Sequence, residues 1–364
     1  MKKILIANIF GIGDVLFTTP LVSALKKGID GVSIDYLCNA RTRPVLESDP
    51  DIAAVHVYEK DDLLRLWKEA KPKFLSAVSG LFREIRQARY DAVFDLTLSR
   101  EFGFFFMLAG IPKRIGLDYR KRGVFLTHKQ RFTGFEGRHV IEYYRGLLEY
   151  MGITASTGKT RLVLDEGLEK WADEYLETKG AGRKRLIAIV PGGGASWGRH
   201  AVRKRWGPDR FARVADILAE QSGPVAILGD SSELDVCNEV AGNMAGNPLF
   251  VETGLGLEQY AALLSRCGLV VCNDGGPLHI AVALKVRTVS IFGPVDEKVY
   301  GPYPPSDRHR VITAREVECR PCYNRFRLPE CAYNGRCLTG IRPETVAEAC
   351  RELPGETGGI KENI

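Results

Sequence analysis

The chain has 364 residues, 45% hydrophobic and 26% charged, with 51 Lys+Arg against 45 Asp+Glu for a formal net charge of +6. The length exceeds one ordinary core and suits two α/β domains, and the composition is that of a soluble globular protein, not of a disordered or fibrous one. The charge excess is modest once averaged over the surface, and no nucleic-acid partner is expected.

The amino end, Met1-Lys2-Lys3 followed by a few apolar residues, has too short an apolar core for a signal peptide, and no run approaches a membrane span. A cytoplasmic protein is expected. Ile4-Leu5-Ile6-Ala7 is long enough for a buried parallel strand. The stretch Asn8 to Pro20 then reads as a strand-to-helix loop running into the amphipathic segment Leu21 to Lys27. Open α/β sheets bind ligands in such loops, at the carboxyl ends of their strands. Gly11 and Gly13 let a substrate approach the one acid of the loop, Asp14. That carboxylate suits either chemistry or the capping of the helix that follows.

Strands follow at Val32 to Leu37, Ala54 to Tyr58 and Ala92 to Leu96, with helices at Pro44 to Ser48, Phe74 to Ala88 and Phe102 to Ala109. Alternation of strand and helix implies a parallel sheet with right-handed crossovers. From Lys113 to Arg131 seven basic residues, Arg114 and Arg120 among them, are answered by the single acid Asp118. Such a patch fits phosphates, an acidic sugar or an anionic membrane surface, or is a solvated face. Val140 to Met151 reads as a helix that closes the first half. Residues 152–184 look like a connection around one helical segment, Leu168 to Leu176.

The pattern then restarts, with strands at Leu186 to Val190, Val225 to Leu228, Leu269 to Cys272 and Thr288 to Ile291. Helices are expected at Phe211 to Glu220, Ser232 to Val240, Leu257 to Leu264 and Leu278 to Leu284. At Asn273-Asp274-Gly275-Gly276-Pro277-Leu278-His279 a strand ends, two glycines expose backbone N–H groups, and Pro277 fits a first helical turn. That arrangement suits a diphosphate. His279 either adds a hydrogen bond or is a packed core histidine, and Asp274 orients amides or a sugar hydroxyl. The loop after Pro191-Gly192-Gly193-Gly194 offers Arg199, Arg203, Lys204 and Arg205 as cations that neutralise a diphosphate without a metal. Glu233, one turn past a strand end at Gly229, is placed to meet ribose hydroxyls or merely opens a helix.

In their order, Gly11-Ile12-Gly13-Asp14 with Thr18-Thr19-Pro20, Lys204-Arg205-Trp206, Asn273 to Ala281, and Phe292-Gly293-Pro294 resemble the motifs of glycosyltransferase family 9 over nearly the whole chain. These are the ADP-heptose:lipopolysaccharide heptosyltransferases and their relatives. The resemblance implies a GT-B architecture of two facing Rossmann-like domains with parallel sheets. The acceptor-binding domain is expected over residues 1–165 and the nucleotide-sugar-binding domain over residues 166–364. It further implies inverting transfer of a heptose or related sugar from an ADP-sugar to the lipopolysaccharide inner core or a related glycolipid, with no metal and no cofactor. Under it Asp14 is the general base, Lys204 binds phosphate, Glu233 contacts ribose, and Asp274, Gly275 and Gly276 form the loop under the diphosphate, with His279 beside it. Gly13, Arg114 and Arg120 are expected on the acceptor, at the inner face of the inner membrane. In this sequence Gly275 stands where the family usually has Ser or Thr, which removes a hydroxyl from the donor site.

Of nine cysteines, five are scattered, as reduced thiols in the cytosol would be. Cys319, Cys322, Cys331 and Cys337 open with the spacing of a tetrathiolate zinc site, but similar cysteines occur in relatives of the family without an obvious metal requirement, and no metal ligand is assigned. Two other functions use the same grammar. A nucleotide-sugar epimerase of the same fold would need no basic acceptor patch, and a non-catalytic nucleotide-sugar-binding protein would have no use for a carboxylate in the first glycine loop.

Overall fold

The computed structural model describes residues 2–154, 158–181, 186–193, 195–314 and 316–354. It divides into two compact units, Met1–Val163 with Asn324–Phe326, and Leu164–Tyr323 with Arg327–Ile364. The first contains β1 (Lys3–Ala7), β2 (Ser33–Cys38), β3 (Ala54–Val57), β4 (Ala92–Asp95), β5 (Lys113–Tyr119) and β6 (His128–Phe132). The second contains β7 (Ile187–Val190), β8 (Val225–Leu228), β9 (Phe250–Glu252), β10 (Leu269–Asn273), β11 (Arg287–Phe292) and β12 (His309–Thr313).

Each set forms one parallel six-stranded sheet, in the orders β3-β2-β1-β4-β5-β6 and β12-β11-β10-β7-β8-β9. Counted within its own unit, each sheet runs 3-2-1-4-5-6, the doubly wound order. The central strands are apolar runs because helices cover both of their faces. Leu5 of β1 lies between Asp35 and Val93, and Val271 of β10 between Ile189 and Val289. In the second unit the helix Pro208–Gln221 starts with proline in its first turn and buries Phe211, Val214, Ala215 and Leu218 on the sheet. Burying Phe211, Val214 or Leu218 contributes roughly 1.5–3 kcal/mol each. In the first, Phe102 and Phe106 of the helix Arg100–Leu108 pack with Leu5, Ala7 and Val93, and Phe326 sits edge-on to Tyr119 and Phe135.

The structure departs from the sequence reading in several places. Within Asn8 to Pro20 lies a short helix, Ile12–Leu16, opened by Gly11 and followed by the helix Thr19–Gly28. The basic stretch from Lys113 holds the two strands β5 and β6, and β6 is the sheet edge, where exposed Lys129 and Arg131 discourage pairing with another chain. The connecting stretch contains a thirteen-residue helix, Glu166–Thr178, that belongs to the second unit. The helix expected over Val140 to Met151 tightens into a 3₁₀ segment, Leu147–Met151, ending at Gly152 with φ 70°. The helix Lys60–Glu69, β9, β12 and the helix Pro343–Arg351 were not anticipated.

On β12 the His309 imidazole faces the Thr288 hydroxyl at 3.0 Å. Burial first, then the neighbouring Arg308 guanidinium, push its pKa down to about 4, while Asp307 opposes the shift. A histidine depressed on folding adds stability that is complete above its unfolded pKa and is lost as pH falls toward the folded one. The loss therefore runs between about pH 6.5 and pH 4 and amounts to at most about 3 kcal/mol. His309→Gln is expected to flatten this acid limb in urea denaturation followed across that range. An unchanged limb would assign the acid lability elsewhere.

Candidate active site

In a doubly wound sheet the crevice opens where the strand order reverses, between the first and fourth strands of the unit. In the first unit these are β1 and β4, which lie side by side with Ala7 opposite Asp95. The chain leaving β1 is stitched by asparagines. The fully buried Asn8 accepts the Phe10 N–H at 3.1 Å and donates to the Asp14 carbonyl at 3.1 Å. Asn39 donates to the carbonyls of Ile9 and Phe10 at 2.9 and 2.6 Å. Asp14 is the third residue of the helix Ile12–Leu16, partly exposed, with Oδ2 accepting the Gly11 N–H at 3.2 Å. The sequence placed this carboxylate ahead of the helix it would cap, whereas here it lies inside a helix and reaches back from the third position to the N–H of the Gly11 N-cap, with Gly13 before it in the same turn. Behind it lie Tyr36 and Tyr144, both fully buried. Burial raises each phenol well above its ordinary pKa, with the Asp14 charge adding to the effect.

Asp95 was read from sequence only as part of the strand Ala92 to Leu96. It is buried, accepts the Thr97 N–H and hydroxyl at 3.1 and 2.6 Å, and is pushed by burial up to about 6 against those hydrogen bonds. The signal available in the sequence was an acid closing an apolar run. Arg114 and Arg120, which the sequence grouped together, have different surroundings. Arg114 donates to the carbonyls of Phe125 at 2.6 Å and Ile111 at 2.5 Å and so braces the backbone. Arg120 is exposed, its guanidinium 4.9 Å from the Tyr119 ring centre.

In the second unit the reversal lies between β7 and β10, and the residues expected from sequence to bind a donor gather there. Asn273, 2% exposed at the end of β10, donates to the carbonyls of Pro191 and Gly192 at 2.7 and 2.9 Å and accepts the Trp206 N–H at 3.0 Å. One side chain thus ties the β7 loop, the β10 end and the segment after Lys204. No separate role for Asn273 was legible in the sequence, because its three partners are 67 to 82 residues away.

Lys204 ends a 3₁₀ segment, Ala195–Lys204, kinked at Gly198. Its ammonium is 2.6 Å from Asp274 Oδ2, both residues are buried, and the Trp197 ring centre lies 4.5 Å from it. The partner of Asp274 here is therefore a lysine, where the sequence pointed to backbone amides or a sugar hydroxyl. Gly194 and the side chain of Arg199 lie outside the described residues.

Glu233 is also buried. It accepts the N–H of Gly193 at 2.6 Å and of Asp230 at 3.2 Å, and Arg205 reaches it at 3.4 Å. A Cβ at Gly192 would fall 2.1–2.3 Å from the Glu233 carboxylate, and Gly193 has φ +128°, so both glycines are required. Gly275 caps the helix Gly276–Ala283, Pro277 is in its first turn, and His279 is buried one turn in. The N–H groups at the start of this helix and the lysine beside them suit an anion.

Near the carboxyl end Cys319, Cys322, Cys331 and Cys337 are free thiols within electrostatic reach of one another. Burial pushes Cys337 up to about 11, whereas the N–H groups of Gly335 and Tyr333 lower Cys331. Among the described residues no group of three or more His, Cys, Asp or Glu is placed to hold a metal ion.

Two parallel Rossmann-like sheets with ligand-ready loops at both switch points are the fold of GT-B glycosyltransferases. The chain belongs to glycosyltransferase family 9 (heptosyltransferase), whose model matches residues 78–332, and it is a glycosyltransferase. It is 26% identical over 301 residues to lipopolysaccharide heptosyltransferase 3 of Escherichia coli K12, covering 80% of this chain and 82% of that one. Its fold is similar to that of a family 9 glycosyl transferase from Veillonella parvula, with a TM-score of 0.80, 24% identity and 97% of each chain covered. It is also similar to that of E. coli ADP-heptose lps heptosyltransferase II, with a TM-score of 0.75, 21% identity, and 97% of this chain and 98% of that one covered.

Removing one member of a buried ion pair strands the other charge, typically at about 3–5 kcal/mol. Lys204→Met is accordingly expected to destabilise the second unit by about 3 kcal/mol in urea, and adding Asp274→Asn is expected to recover most of it. A single variant within about 0.5 kcal/mol of wild type would show that the pair carries no stability.

Proposed function

We propose that the protein transfers a heptose from ADP-heptose to the inner core of a lipopolysaccharide, with inversion at the anomeric carbon and without a metal ion. The observation that carries this reading is the buried Lys204 ammonium at the switch point of the second sheet, 2.6 Å from Asp274 and followed in sequence by the asparagine-tied Trp206. A cation held there meets the diphosphate of a nucleotide-sugar and stabilises the charge that grows on the leaving ADP. Family membership and the lipopolysaccharide heptosyltransferases among its relatives supply the sugar and the acceptor.

In this mechanism the donor diphosphate takes over the Lys204 ammonium from Asp274, assisted by the amides of Gly275 and Gly276 and by His279. A carboxylate offers about four acceptor sites, and three donors from the chain reach Glu233. A ribose hydroxyl completes the set. On the acceptor, with Gly13 and Arg120 beside it, a sugar hydroxyl attacks the anomeric carbon as the bond to ADP breaks, and its proton passes to Asp14. The acceptor is a membrane glycolipid, and the enzyme works as a peripheral protein at the cytoplasmic face of the inner membrane. No helix among the described residues is long and apolar enough to cross a membrane.

Asp14→Asn keeps a side-chain oxygen that can accept the Gly11 N–H, but removes the base. Turnover is expected to fall about 10²–10⁴-fold with ADP affinity near wild type. Near-normal turnover in steady-state assays would leave Asp14 as a helix cap only. Transfer is further expected to persist in EDTA, since lysine and helix amides replace a metal at the diphosphate. Loss on chelation that magnesium or manganese restores would overturn the metal-free reading.

A further inference from the structure

The helix Arg100–Leu108 buries Phe102 and Phe106 in the core, yet its opposite face places Arg100, Phe104 and Leu108 at four-residue intervals on the outside. Phe104 is 44% exposed and Leu108 50%, and Val124, on the short 3₁₀ turn Gly123–Phe125, is 57% exposed. These three belong together. The Phe104 ring lies 5.1 Å from that of Phe125, and a Cβ on Gly103 would touch the Phe125 Cβ at 3.4 Å, so the turn is pressed onto the helix. Isolated exposed apolar residues need no explanation, but a joined set on a rigid support does.

The support is built from groups that the core does not need. Arg114 ties the chain just past the helix to the turn through the carbonyls of Ile111 and Phe125. Asp118 accepts the Gly123 N–H at 2.8 Å and pairs with Lys129 at 3.2 Å. Between Asp118 and the turn the chain exposes Arg120, Lys121 and Arg122 in succession, the first two left-handed with φ of 50° and 60°. Two adjacent non-glycine residues in that region cost on the order of 1–3 kcal/mol each. Arg100 adds a fourth cation, its guanidinium 5.9 Å from the Phe125 ring centre. Glu101 is an exposed acid on this face, in electrostatic reach of Arg122 and Arg100 and hydrogen-bonded to the Ser99 hydroxyl.

We infer that this face, Phe104, Leu108 and Val124 rimmed by Arg100, Lys121 and Arg122, docks the protein on an anionic lipid bilayer. The apolar side chains enter the headgroup boundary while the cations neutralise lipid phosphates. Charge complementarity singles out this occupant, because a second copy of the chain would bring the same cations against themselves. The inference deepens the membrane-acceptor part of the proposed function and supplies the surface that it requires.

The test is co-sedimentation of the whole chain with phosphatidylcholine vesicles, with and without phosphatidylglycerol. Wild type is expected to bind the anionic vesicles, more weakly as salt is raised, and to leave the neutral ones largely unbound. Three neutralised cations at a membrane surface weaken partition by about a hundredfold, so Arg100→Gln with Lys121→Gln and Arg122→Gln should release it. Phe104→Ser with Leu108→Ser should lower binding about tenfold or more, and Arg213→Gln on the second unit should change nothing. All of these replace exposed side chains, and thermal melting checks the fold. Turnover on a delipidated core oligosaccharide should stay at the wild-type level in every variant, so a failure of the heptosyltransferase reading appears there and not in vesicle binding. Equal vesicle binding by wild type and variants, no binding by wild type, displacement by inorganic phosphate at low concentration, or vesicle-independent self-association that the variants abolish would each overturn the proposal.

Discussion

The second unit depends on one contact between unlike charges out of water. Lys204 and Asp274 reach the same point from segments seventy positions apart in sequence, and each is tolerable there because of the other. Asn273, the neighbour of Asp274, fixes the β7 loop and the Trp206 amide, so that the lysine arrives on a segment anchored at its far end. Asp274 keeps the ammonium neutralised, and under the proposed function an incoming diphosphate exchanges one anion for another without recruiting a mobile side chain. Preorganisation of this kind is how a fixed cation acts on a developing charge.

The two units solve the same geometric problem in the same way. Both sheets reverse order between their first and fourth strands, and at both reversals a buried asparagine, Asn8 or Asn273, holds the departing chain by its backbone. Loops at strand ends have unpaired N–H and C=O groups, and an asparagine carries both a donor and an acceptor to satisfy them. What differs is the charge delivered. The first unit delivers a partly exposed carboxylate at the start of a short helix, and the second a buried cation beside a longer helix start. In the proposed mechanism the first is the base for the acceptor and the second the cradle for the leaving diphosphate.

Much of this was legible in the chain. Strands such as Ile187–Val190, Val225–Leu228 and Leu269–Asn273 are read from sequence because covering on both faces demands uninterrupted apolar residues. The edge strands β6, β9 and β12 were not, since an edge needs fewer apolar residues and tolerates the charges that mask β6 and β12. Gly11 and Gly13 made the Asp14 segment look like loop, although Gly11 only opens a helix that hydrogen bonding completes. The candidate site residues Lys204, Glu233 and Asp274 were recognisable by type and place, but their partners were not. Whether Arg114 meets an acceptor or braces a turn depends on the carbonyl of Phe125, eleven residues away, which becomes its neighbour only when β5 and the following turn have folded.

The most direct measurement of the account is ADP release from ADP-heptose by the purified protein, made with and without a heptose-accepting lipopolysaccharide core and paired with mass analysis of the acceptor. Transfer predicts ADP and heptosylated acceptor in equal amounts when both substrates are present, and almost no ADP when the acceptor is left out. ADP formed as fast without acceptor, or an unmodified core after incubation with both, would contradict it.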